Sequence, residues 1–98
     1  MSENRSHKIT ANRLAKKFKT DYNQGQGADI KTNKMAIEVE TEDSVSDAVR
    51  QLKGYQKPVY VAGTNQAAVD KALKKFAGTK IGVMNNQGKI IKKSTRGK

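Results

Sequence analysis

The stretch GADIKTNKMAIEVET, Gly27 to Thr41, carries three carboxylates at a spacing that a β-hairpin would gather. Ala28–Thr32 and Met35–Glu40 read as short strands around a two-residue turn at Asn33 and Lys34. That loop length sets Asp29 opposite Glu38, with Cβ atoms about 4.5–5.5 Å apart. Glu40 falls on the same face one diagonal step further on, roughly 7–8 Å from Asp29. Carboxylates this close repel, and each raises its neighbours' pKa unless a cation sits among them. A hard divalent ion suits such oxygens: Mg²⁺ commonly takes one or two carboxylates, keeps several waters and leaves positions for phosphate oxygens. Held there, it would offset charge on a phosphodiester and acidify an attacking water. The competing reading is a solvated acidic face tied to Lys31, which shares the face of Asp29 by the period of two.

The elements that must position these acids follow from periodicity. Met1–Lys8 is polar without a period and reads as a flexible arm. From Thr10, a fair N-cap, Ala11, Leu14, Ala15 and Phe18 recur at helical spacing, with Arg13, Lys16, Lys17 and Lys19 on the other side. NQGQG, Asn23–Gly27, is a loop. After the hairpin, Ser44 caps a second helix with Val45, Ala48, Val49 and Leu52 as its apolar stripe and Gly54 at its end. Pro58 opens a strand whose residues Val59–Ala62 are apolar without alternation, as in a strand covered on both faces. A right-handed βαβ crossover then sets Met35–Glu40 parallel to Val59–Ala62. Asn65 opens a third helix, with Val69, Ala72, Leu73 and Phe76 inward, Lys71, Lys74 and Lys75 outward, and Gly78 closing it. Lys80–Met84 and Lys89–Lys92 flank the turn NNQG, and KKSTRGK is a basic tail. The expected order is α-β-β-α-β-α-β-β, an α/β fold with a mixed central sheet. One domain over residues 9–92 lies between the arm and a tail over 93–98.

Twenty Lys and Arg against nine Asp and Glu give a formal charge of +11, a field that draws in polyanions. Nucleic acid is the partner this implies, with Arg13, Lys16, Lys17, Lys19, Lys71, Lys74, Lys75, Lys92, Lys93 and Arg96 as phosphate contacts. Few aromatics are placed to stack on bases, so backbone contact without base reading is expected. The chain has no cysteine, which excludes a disulfide framework and a zinc knuckle. No stretch resembles a leader or a spanning helix, so a cytoplasmic protein without membrane partners is expected. His7 is the single histidine and, lying in the arm, is given no part.

GADI followed by IEVET, a helix carrying QLKGY and a buried PVYVA strand resembles the PD-(D/E)XK nuclease superfamily, which includes archaeal Holliday junction resolvases and RecB-like nuclease domains. The likeness spans roughly Ala11 to Gly88. It implies a restriction-endonuclease-like three-layer core and a metal-dependent DNA endonuclease, structure-specific or without sequence specificity. By this resemblance Asp29 is the metal-binding aspartate, Glu38 the acid of the second motif, and Gln51 and Tyr55 a Q-x-x-x-Y element near the active site. Asp29, Glu38 and Glu40 would hold Mg²⁺ or Mn²⁺, with no small-molecule cofactor. Two departures stand out: Ala28 replaces the usual proline, and Glu40 occupies the place of the catalytic lysine, where some members use a glutamate as a further metal ligand or base. Lys31 could supply the missing cation. Cutting both strands would call for a homodimer or larger assembly. The alternative is a nuclease fold that has lost its chemistry and binds nucleic acid; an RNA-binding protein would leave the acidic hairpin unexplained.

Overall fold

In the computed structural model, which describes residues 5–23 and 27–95, the first helix (α1, Arg5–Lys17) lays Thr10, Ala11, Leu14 and Ala15 against a central sheet. It starts five residues before the expected cap. Residues 5–8, read as arm, are therefore helical, and Thr10 is a buried interior residue. Lys19 then takes a left-handed backbone (φ 58°) that turns the chain away.

The hairpin has the expected register. Ile30 pairs with Ile37 and Lys31 with Ala36 in antiparallel strands β1 (Ile30–Lys31) and β2 (Ala36–Glu40). Both strands are shorter than the alternation suggests. Beyond Ile30 side chains replace the ladder: the Val39 N–H donates to the Asp29 carboxylate (2.9 Å) and the Asp29 N–H to Glu38 Oε1 (3.1 Å). At the turn the Thr32 hydroxyl accepts from the N–H groups of Lys34 and Met35, closing the loop without glycine.

Strand β3 (Val59–Gly63) is buried along its whole length and runs parallel to β2, as its unbroken apolar run requires. The connection is less regular than expected. Glu42–Asp47 is a 3₁₀ segment, joined to a short helix α2 (Ala48–Leu52). Thr41 rather than Ser44 stands at its start, its N–H donating to the Ser44 hydroxyl (3.0 Å). The tighter 3₁₀ winding rotates the apolar stripe, and Val49, expected inside, is 46% exposed. Helix α3 (Gln66–Lys75) begins at Asn65, whose side chain accepts from the Ala68 N–H (2.9 Å), and leads to β4 (Gly82–Met84), parallel to β3. Antiparallel β5 (Ile90–Lys92) completes a sheet in the order β1-β2-β3-β4-β5.

Two apolar clusters define the layers. Ala11, Leu14 and Ala15 of α1 meet Ile30, Ile37, Val39, Tyr60, Ala62 and Met84 on one face. Val45, Ala48, Leu52, Val69, Ala72 and Phe76 meet Ala36, Val59, Val61 and Val83 on the other. The protein is thus α/β, with a five-stranded mixed sheet between helices. Among the described residues no helix is long and apolar enough to cross a membrane.

Candidate functional site

Alternation sends Ile37 and Val39 toward α1 and leaves Glu38 and Glu40 on the opposite face of β2, at its carboxyl end. Burial is the unusual feature. Asp29 and Glu38 are each 8% exposed and Glu40 only 4%, so three acids lose most of their water within one end of the hairpin. Asp29 Oδ2 accepts from the Val39 N–H and lies 3.1 Å from His7 Nε2, while His7 Nδ1 lies 3.2 Å from the Tyr22 hydroxyl. Helix α1 is thereby pinned to the hairpin through a carboxylate.

The electrostatics follow from burial. Glu38 is pushed up to about 9 by loss of water, then by the charges of Asp29 and Glu40, with the Asp29 N–H pulling partly the other way. Glu40 is raised to about 7, again chiefly by burial; a hydrogen bond from Ser44 and the nearby His7 oppose the shift, while Asp29 and Asp47 add to it. Among the described residues two buried side-chain atoms lack a hydrogen-bond partner, Glu40 Oε2 and Thr64 Oγ1. Both belong to residues at the carboxyl ends of adjacent parallel strands, joined where the Thr64 N–H donates to the Glu40 carbonyl (3.1 Å). The strand order runs without the reversal at which open α/β sheets form a ligand crevice, so it is these two orphaned atoms rather than the topology that mark this end.

Three carboxylates, one with an orphaned oxygen, are hard donors that suit Mg²⁺ or Mn²⁺ in chemistry. As hydrogen-bonded here, the described residues contain no group of three or more His, Cys, Asp and Glu side chains arranged to hold a metal ion. Asp29 Oδ2 is instead engaged by Val39 and His7, and Glu38 Oε1 by the Asp29 N–H.

The remaining predicted residues are distributed unevenly. Lys31 is exposed and paired with Ala36, at the far end of the ladder from the acids. The Tyr55 hydroxyl accepts from the Ala28 N–H (3.2 Å), bracing the segment just before Asp29. It would also sit 2.8 Å from a Cβ added at Gly27, whose φ of 89° already suits glycine. Gln51 lines a shallow depression of about 310 Å³ with Gly27 and Tyr55. Arg13 and Lys17 donate to the carbonyls of Asn86 and Gln87, and Lys92 to those of Thr79 and Ile81, so these cations also tie elements together. Lys16 and Lys19 are exposed beside α1, whereas Lys71, Lys74 and Lys75 are exposed on α3, across the sheet. Lys93 is exposed and Arg96 lies outside the described residues.

His7 and Tyr22 are the site neighbours not assigned from sequence. The signal was present for His7: it precedes Ala11, Leu14 and Phe18 by four, seven and eleven residues, on the same helical stripe. His7→Ala removes a charge-assisted bond at a half-buried position and is expected to cost about 1 kcal/mol, read as a lower urea midpoint at unchanged m.

No known protein family, curated protein or solved structure matches the chain.

Proposed function

We propose that this chain is a metal-dependent phosphodiester-cleaving domain acting on DNA, a structure-specific or non-specific endonuclease of the restriction-endonuclease-like superfamily. One observation carries the reading: three buried, mutually repelling carboxylates converge at the carboxyl end of β2, and Glu40 keeps a buried oxygen without a partner. A fold does not gather three buried acids at one end of a strand for stability, because without a cation they must either repel one another or, as Glu38 does, give up their charge by staying protonated.

Asp29, Glu38 and Glu40 are the residues that would hold Mg²⁺ or Mn²⁺, and the ion when bound would neutralise phosphate charge and make its water more acidic. The protein's own part is to fix the carboxylates: the Val39 N–H and His7 orient Asp29, and the Asp29 N–H orients Glu38. Glu40 brings a third negative oxygen donor where a lysine would have brought a cation. The charge of +11 would draw the polyanion to this acidic site, with affinity falling steeply as salt rises.

A second reading, a nucleic-acid-binding module without catalysis, is favoured by Glu40 in the lysine position and by the bonds that already occupy Asp29. Supercoiled, branched and single-stranded DNA incubated with Mg²⁺ or Mn²⁺, beside an Asp29→Ala control, separates the two. Cleavage by the wild type alone supports the nuclease; wild type no better than the variant on every substrate leaves the binding module.

A further inference from the structure

A second charged feature lies at the opposite end of the hairpin from the acids. A depression of about 640 Å³ opens between the turn after α1, the hairpin loop and the segment before β3. Lys19, Lys31, Lys34 and Lys57 line it together with Asn33, and its lining includes no acidic residue. Among the described residues none of these four lysines is in an ion pair.

The walls are fixed by hydrogen bonds. The Thr20 hydroxyl donates to the Lys31 carbonyl (3.2 Å), and the Thr32 hydroxyl donates to the Met35 carbonyl (3.3 Å) while holding the hairpin loop. Lys57 Nζ donates to the Thr32 carbonyl (2.5 Å), which anchors one cation in the wall. Lys19 is set at the rim by its left-handed backbone. Four like charges around one concavity repel one another, and an anion placed among them relieves that repulsion.

We infer that this depression is a docking site for backbone phosphate of a nucleic acid, a second anchor for the polymer that the acidic site would meet; the identity of the polymer rests on the function proposed above. Spacing agrees with one strand touching both places. Lys31 pairs with Ala36, and Glu40 lies four residue steps further along β2, about 13 Å at ~3.3 Å per residue. A duplex carries a phosphate about every 3.4 Å of helix axis on each strand, and because the strand winds around that axis successive phosphates are roughly twice as far apart in space, so the two places are some two phosphates apart. The lysines of α3, across the sheet, could not share that strand with the β1 edge.

Lys34→Glu tests the site. Its side chain is exposed and only its backbone N–H takes part in the loop, so the fold should stand. Lys80→Glu, exposed before β4 at the other side of the sheet, makes the same change in net charge. Binding of a short labelled duplex is followed by fluorescence anisotropy across a salt series in EDTA, so that metal and cleavage play no part. Lys34→Glu is expected to weaken binding about tenfold at low salt and to reduce the salt slope by about one, whereas Lys80→Glu changes affinity less than about twofold. Equal losses in both variants, or no loss in Lys34→Glu, overturn the site. Inorganic phosphate at constant ionic strength forms the second arm. Weak competition supports a polymer anchor, and displacement at far below the ionic strength would mark a small-anion pocket and overturn it. Because the acids are silent in EDTA, failure here leaves Asp29-dependent cleavage standing, and failure of cleavage leaves this binding result standing.

Discussion

Asp29→Ala is expected to remove divalent-dependent DNA cleavage by at least about a thousandfold, while Asp29→Asn removes it equally and keeps more of the fold. The rate loss follows from the ion: stabilisation of phosphate charge by a bound metal is worth several kcal/mol, and each ~1.4 kcal/mol is tenfold. Stability is set by two opposing effects. Alanine leaves the buried Val39 N–H without its acceptor and unties His7, at a cost of about 1–3 kcal/mol. Removing the Asp29 charge also relieves Glu38 and Glu40, both of which it pushes upward. Asparagine keeps an oxygen for Val39 and still removes the charge, so Asp29→Asn should melt at or above the wild type and Asp29→Ala below Asp29→Asn. Calorimetric titration with Mn²⁺ gives the independent check. A wild-type isotherm that persists unchanged in Asp29→Asn would take the ion away from this residue.

The centre of the fold was legible because its signals are local and agree with one another. A two-residue loop fixes register, so Ile30 opposite Ile37 follows from counting, and the alternation of β2 settles which face receives the acids. The unbroken VYVAG run announces a strand covered on both sides, and Asn65 announces the start of α3. What failed to show had no local cause. Arg5–Lys8 adds only the polar His7 to the apolar stripe of α1, a weak local signal, and this first turn is held from outside by the His7 bond to Asp29, twenty-two residues away. The 3₁₀ start of the first crossover moves Val49 out to solvent although its spacing is helical. Lys31 shares a face with Asp29 by parity, yet two residues of strand carry it to the opposite end of the ladder, beside Lys34 and Lys57. Parity gives a face and says nothing of distance along it.

Glu38→Gln is the variant in which stability and function should part most clearly. In the folded chain Glu38 is held at about 9 against an ordinary 4.5, so folding favours its protonated form. Its contribution is therefore complete below the ordinary value and is lost as pH rises through about 9. Glu40, raised to about 7, acts in the same direction over a narrower span. The metal-free wild type should thus melt progressively lower between about pH 5 and 9, the reverse of what salt-bridged carboxylates produce. Ionising Glu38 at full cost, about 6 kcal/mol at ~1.36 kcal/mol per pKa unit, would match the whole stability of many domains, so movement and water entry must relieve most of it. With about 2 kcal/mol left, Glu38→Gln should raise the melting temperature at pH 9 by about 10 °C and change it little at pH 5. The substituted amide is neutral at every pH, and its oxygen can still accept the Asp29 N–H that Glu38 Oε1 accepts. Millimolar Mg²⁺ or Mn²⁺ should do the same for the wild type by supplying the missing positive charge, and should do little for the variant. A wild-type melting curve indifferent to both pH and divalent ions, with Glu38→Gln indistinguishable from it, would mean that the three carboxylates are adequately solvated and need no ion.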